Sequence, residues 1–346
     1  MADGGNRPTT PPARPVGPRI AAATLIAGVG VLVAVLLAPS LGGRVAAGVG
    51  NEESARPSAA ASGDVDDEFE TSSPGHDRLA RLADIKELRL QVRGVTRKAL
   101  VYIPSRVRAG APAFVAVHGY TGSAPAMIRQ TSYLDLAERN GWIVAFPQGL
   151  RYADGQHAWN AGTCCGGAPS ADTSDVKFIN NLARRLVSQY GADPDRIFYH
   201  GYSNGAMLGY RVACQADQPF SGFALLSGTL VSPCDQTSDV PVIAIHGMQD
   251  STVPFAGSRW RVSLQTELLP VRDTVDTVAA RNGCTGRLAS RAPENARVRS
   301  FTAQCPKGAT VALVTVRDMQ HQWTEDADAF GIDETEYSTT WLLDHA

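Results

Sequence analysis

Gly201-Tyr202-Ser203-Asn204-Gly205 lies between an apolar, aromatic run, Arg196 to Tyr199, and a helix-compatible stretch from Ala206 to Ala213. A serine raised on a turn that reverses a strand into a helix needs small residues two places before and two places after it, because a side chain there would wedge the two elements apart. Gly201 and Gly205 meet that need. Taken alone, the five residues could be an ordinary glycine-containing turn. The strand before them, the helix after them and the partners found below favour a nucleophile.

Working outward, Ala113 to Val117 is a continuous apolar run ending in His118 and Gly119, as expected of a parallel strand buried on both faces. A helix from about Ala126 to Asn140, closed by Gly141, leads to a strand Trp142 to Phe146. The rhythm continues through helix Ser174 to Tyr190, strands Gly222 to Leu226 and Val240 to Ile245, and helix Val271 to Asn282. Strands around Val298 to Thr302 and Val311 to Val316 follow, and helix Glu336 to Asp344 closes the chain. Upstream, a short helical pattern at Leu79 to Leu82 precedes a hairpin, Glu87 to Val92 and Arg97 to Ile103 around Gly94. This alternation predicts an α/β fold with a mostly parallel central sheet and helices on both faces. The Gly-rich excursion from Pro147 to Thr173 carries Trp159 and the pair Cys164-Cys165, and a loop so long is usually functional or covalently tied.

The chain has 346 residues, a formal net charge of −2 and only four lysines, Lys86, Lys98, Lys177 and Lys307, so no nucleic-acid footprint is present. Residues 1–19 carry Arg7, Arg14 and Arg19, and the segment 20–41 contains an uncharged apolar run, Ile20 to Ala38. That run is about long enough to cross a bilayer, which reads as a signal peptide or a transmembrane anchor. Val45-Ala46-Ala47 offers a cleavage site. Residues 42–78, rich in Gly, Ala, Ser and Pro with acids from Asp64 to Glu70, read as a disordered linker, and 79–346 as the catalytic domain. The basic leader places that domain outside the cell, secreted or held at the membrane by its N-terminal segment. All six cysteines, Cys164, Cys165, Cys214, Cys234, Cys284 and Cys305, lie beyond the apolar run, which suggests three disulfides. No Cys-x-x-Cys spacing occurs, and no metal is expected.

A serine hydroxyl needs a base in hydrogen-bond reach and a buried carboxylate to orient that base. With the serine on such an elbow, the α/β-hydrolase arrangement, these follow in the order Ser, Asp or Glu, His. His76, His118, His157 and His200 precede Ser203, His246 precedes the best acid, and His345 is penultimate, leaving His321. Asp250 follows strand Val240 to Ile245 and is the expected acid; Asp318, three residues before His321, is the rival. For the oxyanion, two backbone N–H donors are expected, from Asn204 and from Tyr120 in the loop after Val117.

The set HGYTGSA (His118 to Ala124), WNAGTCCG (Trp159 to Gly166), GYSNGA (Gly201 to Ala206), HGMQDSTVPF (His246 to Phe255) and HQW (His321 to Trp323) resembles the polyhydroxybutyrate depolymerase, feruloyl esterase and acetylxylan esterase family of α/β-hydrolases. The likeness runs from about Leu88 to the C-terminus. It implies a serine carboxylic ester hydrolase that forms an acyl-enzyme on Ser203, with Asp250 and His321 completing the triad and with no cofactor or metal. Its substrate would be a small ester or an ester-decorated polymer carrying hydroxyalkanoate, feruloyl or acetyl groups. Met319-Gln320 before His321 and Thr324-Glu325 after Trp323 depart from the family's usual glycines and Pro-Gly, which bears on the pocket rim. Trp159 and Trp323 are expected as an aromatic wall and Thr121 as a further substrate contact. Cys284 and Cys305 form the natural local pair, and Cys164 and Cys165 are expected to bind Cys214 and Cys234 in an open order. The alternatives are acyl transfer to a cell-envelope sugar and a catalytically silent surface binding protein; a peptidase has no gating domain to support it.

Overall fold

Four strands are buried along their whole length and a fifth at every residue but Pro112, and their side chains alternate between two cores. The computed structural model describes residues 84–170, 174–235, 239–261, 264–286 and 288–346, with Leu82. The leader, the apolar run, the linker and most of the Leu79 to Leu82 pattern lie outside them. Among the described residues no helix is long and apolar enough to cross a membrane.

The strands are β1 (Lys86–Val92), β2 (Val95–Tyr102), β3 (Ala111–Val117), β4 (Ile143–Pro147), β5 (Leu150–Arg151), β6 (His157–Ala158) and β7 (Ala192–Tyr202). They continue as β8 (Gly222–Leu226), β9 (Val242–Gly247), β10 (Ser258–Arg261), β11 (Thr266–Leu268), β12 (Ala289–Ser290), β13 (Val298–Gln304) and β14 (Thr310–Val316). The helices are α1 (Ala124–Gln130), α2 (Tyr133–Asn140), α3 (Asp175–Tyr190), α4 (Asn204–Ala213), α5 (Val271–Arg281), α6 (Ala327–Phe330) and α7 (Glu334–His345).

The main sheet runs β1-β2-β4-β3-β7-β8-β9-β14-β13-β12. Pairing is parallel from β4 to β14 and antiparallel at both margins, so the expected mostly parallel sheet is borne out. On β3, Ala113, Val115 and Val117 enter one core with α3, α4 and α5; Phe114 and Ala116 enter the other with α1, α2 and α7. With both faces covered, each central strand reads as an unbroken apolar run.

The single helix expected over Ala126 to Asn140 is two. Thr131 leaves helical geometry at φ −123° and ψ 154°, and its hydroxyl donates to Met127 O at 2.8 Å, so the chain turns before Tyr133. Helix α1 begins earlier than expected, because the Ser123 hydroxyl accepts the Ala126 N–H and a proline starts the first turn. The cysteine pairing is also corrected. Cys164 bonds Cys165, and Cys214 bonds Cys234, the residues that bracket β8 and its flanking loops. The Cys164 and Cys165 sulfurs lie side by side in the excursion loop and are closed to any third cysteine. Cys284–Cys305 forms as expected.

Candidate active site

Strand β7 ends at Tyr202 and α4 begins at Asn204, leaving Ser203 alone on the corner at φ 54° and ψ −118°. Its N–H donates to Leu226 O on β8 at 2.8 Å, which ties the corner to the sheet. A methyl group at Gly201 would meet the Gly205 carbonyl oxygen, and one at Gly205 would strike the carbonyl oxygens of Val117 and His118. Both motif glycines are thus required by close backbone approach.

His321 arrives from the turn after β14. Its Nε2 lies 2.9 Å from Ser203 Oγ and its Nδ1 lies 2.7 Å from Asp250 Oδ2. Asp250 is buried, and its Oδ1 accepts the N–H groups of Thr252 at 2.9 Å and Val253 at 2.8 Å. The carboxylate therefore has one oxygen committed to the backbone and the other facing the imidazole. His246 also approaches Oδ2, at 3.5 Å, but donates from Nε2 to Val253 O at 2.8 Å, and burial lowers its pKa. Asp318, the rival acid, pairs at the surface with Arg297 and Arg317.

The loop after β3 is shaped by a buried histidine. Burial pushes His118 down to about 4, so it is neutral at ordinary pH. Its Nε2 accepts the Gly149 N–H at 3.0 Å, which places the ring proton on Nδ1, donated to Gly119 O at 2.7 Å. Gly122 N–H donates to the same oxygen at 3.1 Å. In a trans peptide the N–H points opposite to the C=O, so the Tyr120 N–H is turned away from His118. The Thr121 N–H is spent on His157 O at 2.8 Å, and Thr121 sits at φ 66° on the rim. Asn204, first residue of α4, carries one of the helix's unpaired N–H groups.

The two tryptophans are not where an aromatic wall requires them. Trp159 is wholly buried behind the elbow; its indole N–H donates to His118 O at 2.8 Å, and its ring stacks on Phe178. Its backbone N–H donates to Asn204 Oδ1 at 2.8 Å, and its C=O accepts from Asn204 Nδ2 at 3.1 Å. Trp323 lies behind Tyr202, its ring edge-on at 6.3 Å and its indole N–H bound to Glu325 and Thr335. Neither lines the cavity beside Ser203, so the substrate-contact reading of both is corrected: motif membership does not fix the direction of a side chain.

That cavity, about 480 Å³, is lined by the His118 to Ser123 loop, Tyr202, Ser203, Thr252 and His321. Ala126, Met127 and Gln130 of α1 and Leu264 from the β10–β11 turn complete it, and none of these four was singled out from sequence. The helix start at Ser123-Ala124-Pro125 was the signal that could have placed α1 here. The Tyr202 hydroxyl donates to His321 O at 3.0 Å while its ring lies 5.2 Å from the imidazole. Among the described residues no group of His, Cys, Asp and Glu could hold a metal.

A family described as phospholipase/carboxylesterase matches residues 168–280. Feruloyl esterase B of Piromyces equi is 28% identical over 235 residues, which is 65% of this chain and 42% of that protein. The bifunctional acetylxylan esterase/xylanase XynS20E of Neocallimastix patriciarum is 24% identical over 163 residues, 47% of this chain and 22% of that protein. The chain thus spans less than half the length of these relatives. Among solved structures, the acetyl xylan esterase from Aspergillus awamori aligns over 74% of this chain and 98% of its own, with a TM-score of 0.51 and 17% identity, a likeness of fold.

Proposed function

We propose that this chain, an α/β-hydrolase akin to feruloyl and acetylxylan esterases, hydrolyses carboxylic esters through an acyl-enzyme on Ser203. The observation that supports this reading is the continuous line of hydrogen bonds from Ser203 Oγ through His321 to Asp250, at 2.9 Å and 2.7 Å. In it, Ser203 Oγ attacks the ester carbonyl carbon while its proton passes to His321 Nε2, and Asp250 holds the imidazole in the tautomer that accepts it. The carbonyl oxygen gathers charge against the N–H groups of Asn204 and Tyr120, donors typically worth about 2.7–4 kcal/mol of barrier each. His321 returns the proton to the alcohol oxygen, the C–O bond breaks and the alcohol leaves. Water, deprotonated by His321, then attacks the acyl-Ser203 carbonyl, and the acid departs as Ser203 regains its proton.

The cavity mixes apolar Met127 and Leu264 with polar Thr121, Gln130 and Thr252, a lining suited to short hydroxyalkanoyl, acetyl or feruloyl groups. Three disulfides support an oxidising compartment, and we place the enzyme outside the cytoplasm, secreted or held by its N-terminal segment. Turnover of p-nitrophenyl acetate, p-nitrophenyl octanoate, methyl ferulate and hydroxybutyrate oligomers by the full chain and by Ser203→Ala tests the proposal. Activity lost in the variant is expected, and the order of the four esters identifies the acyl group. Equal turnover by both proteins would remove Ser203 from the chemistry.

A further inference from the structure

Ser203 and His321 are 118 residues apart in sequence, one on the β7–α4 corner and the other on the turn after β14, yet Oγ and Nε2 must keep a separation of 2.9 Å. The residue before the serine spans the two segments. Tyr202 closes β7, and its hydroxyl donates to His321 O at 3.0 Å. Among the described residues this is the group that holds the main chain of His321 itself. The neighbouring ties fall to either side: Met319 O accepts the Gln249 N–H at 3.1 Å, and the Trp323 indole is bound to Glu325 and Thr335.

The phenol is wedged among three neighbours. Its ring centroid lies 5.2 Å from that of the imidazole with the planes inclined by 32°, and Trp323 meets it edge-on. A methyl group at Gly119 would come within 3.3 Å of Tyr202 Cδ1, so the loop after β3 closes on the ring as well. A ring confined in this way gives up little further freedom when its hydroxyl forms a hydrogen bond. Burial and the Asp250 charge push the phenol well above its ordinary range, so it keeps its proton and remains a donor.

The reaction cycle gives this bond a use. In the free enzyme two contacts aim the imidazole, one to Ser203 Oγ and one to Asp250. Once Oγ carries an acyl group the first contact is lost, and Nε2 has to activate water instead. Asp250 then holds the ring at one atom, Nδ1, about which it can tilt. The Tyr202 bond does not involve Oγ and persists through both steps. Resting on the ester-hydrolase reading, we propose that Tyr202 is a positioning residue for the base: its hydroxyl and ring keep His321 Nε2 aimed at Ser203 in the free enzyme and at the attacking water in the acyl-enzyme.

Tyr202→Phe in the full chain removes the hydroxyl and keeps the ring that lines the cavity. With active sites counted by exhaustive fluorophosphonate labelling, kcat per site should fall about tenfold, as loosened aim costs, and KM should stay within about twofold. The factor should be the same for p-nitrophenyl acetate, p-nitrophenyl octanoate and methyl ferulate, because His321 serves every ester and both steps. A purely structural role would lower the number of labelled sites and leave the rate per site as it was. The His321 Nδ1 proton facing Asp250 gives a second readout: its downfield NMR resonance should exchange with water faster in Tyr202→Phe than in wild type. That resonance needs no turnover, so equal hydrolysis by wild type and Ser203→Ala would remove the ester reading while the resonance still decided the role of Tyr202. An unchanged rate per site, a fall confined to one ester, or a resonance that is absent from wild type or exchanges alike in both proteins would each overturn the proposal.

Discussion

Replacing Asp250 by Asn tests how the carboxylate acts, because the surrounding hydrogen bonds dictate which way the new amide must face. The two N–H groups of Thr252 and Val253, at 2.9 Å and 2.8 Å, need an acceptor, so the amide oxygen takes the place of Oδ1. The NH₂ group then replaces Oδ2, 2.7 Å from His321 Nδ1. A donor there forces Nδ1 to become the acceptor and moves the ring proton to Nε2, which faces Ser203 Oγ at 2.9 Å. A protonated Nε2 has no lone pair for the serine proton. Loss of the right tautomer in a triad of this kind costs about 10⁴-fold in kcat, or about 5 kcal/mol of barrier. We expect that fall in Asp250→Asn on p-nitrophenyl acetate, with KM little changed and the melting temperature close to wild type, since the backbone bonds survive. Asp318→Asn, altering a carboxylate paired with surface arginines, should stay within about twofold, as surface pairs contribute little. If Asp250→Asn retained activity within tenfold of wild type, the tautomer argument would be refuted.

Gly205→Ala would drive a methyl group into the Val117 and His118 carbonyls, backbone that has nowhere to go, so a loss of about 1–3 kcal/mol is expected as a melting temperature lowered by several degrees. Arg97→Ala would leave the buried Asp175 carboxylate without its countercharge; urea unfolding should show a loss of about 3–5 kcal/mol. Burial raises Glu334 to about 8 from an ordinary value of 4.5, so the folded chain keeps a proton that the unfolded chain releases across that window. Wild-type stability relative to Glu334→Gln should therefore fall as pH rises from about 4.5 to 8. Denaturant titrations of the two proteins at a series of pH values check this, and a difference that does not change with pH would count against the buried acid.

The central strands were readable because burial on both faces leaves no polar positions, so Ala113 to Val117 and Gly222 to Leu226 announce themselves as apolar runs. The order of serine, acid and histidine was equally open to elimination, since few titratable residues followed Ser203 at strand ends. What escaped depends on direction and pairing. Apolar spacing runs on through Thr131, whereas the break there comes from a hydroxyl bonding back to Met127 O. Nothing in the spacing of cysteines tells which sulfur faces which, and Cys164 with Cys165 satisfied each other locally. The β10–β11 hairpin, which carries Leu264 to the cavity, has strands of only four and three residues and offers too little alternation to be seen.

Trp159 accounts for why an excursion loop remote in sequence belongs to the site without facing substrate. The loop after β3 and the start of α4 flank Ser203 from different parts of the chain, and both must be fixed if their N–H groups are to meet at one oxyanion. The indole N–H of Trp159 holds one through His118 O, and its backbone N–H and C=O hold the other through the Asn204 side chain. Asn204 thus uses its amide to locate its own backbone. The next residue, Asn160, is secured in turn by Asp175, at 2.7 Å from its N–H, and by Arg211. Asp175 is itself fixed by Arg97, whose guanidinium lies over Phe178 at 4.3 Å. The buried charge pair, costly to desolvate, sits at the base of this chain of contacts, so the geometry at Ser203 rests on residues of β2 and α3 that never reach the cavity.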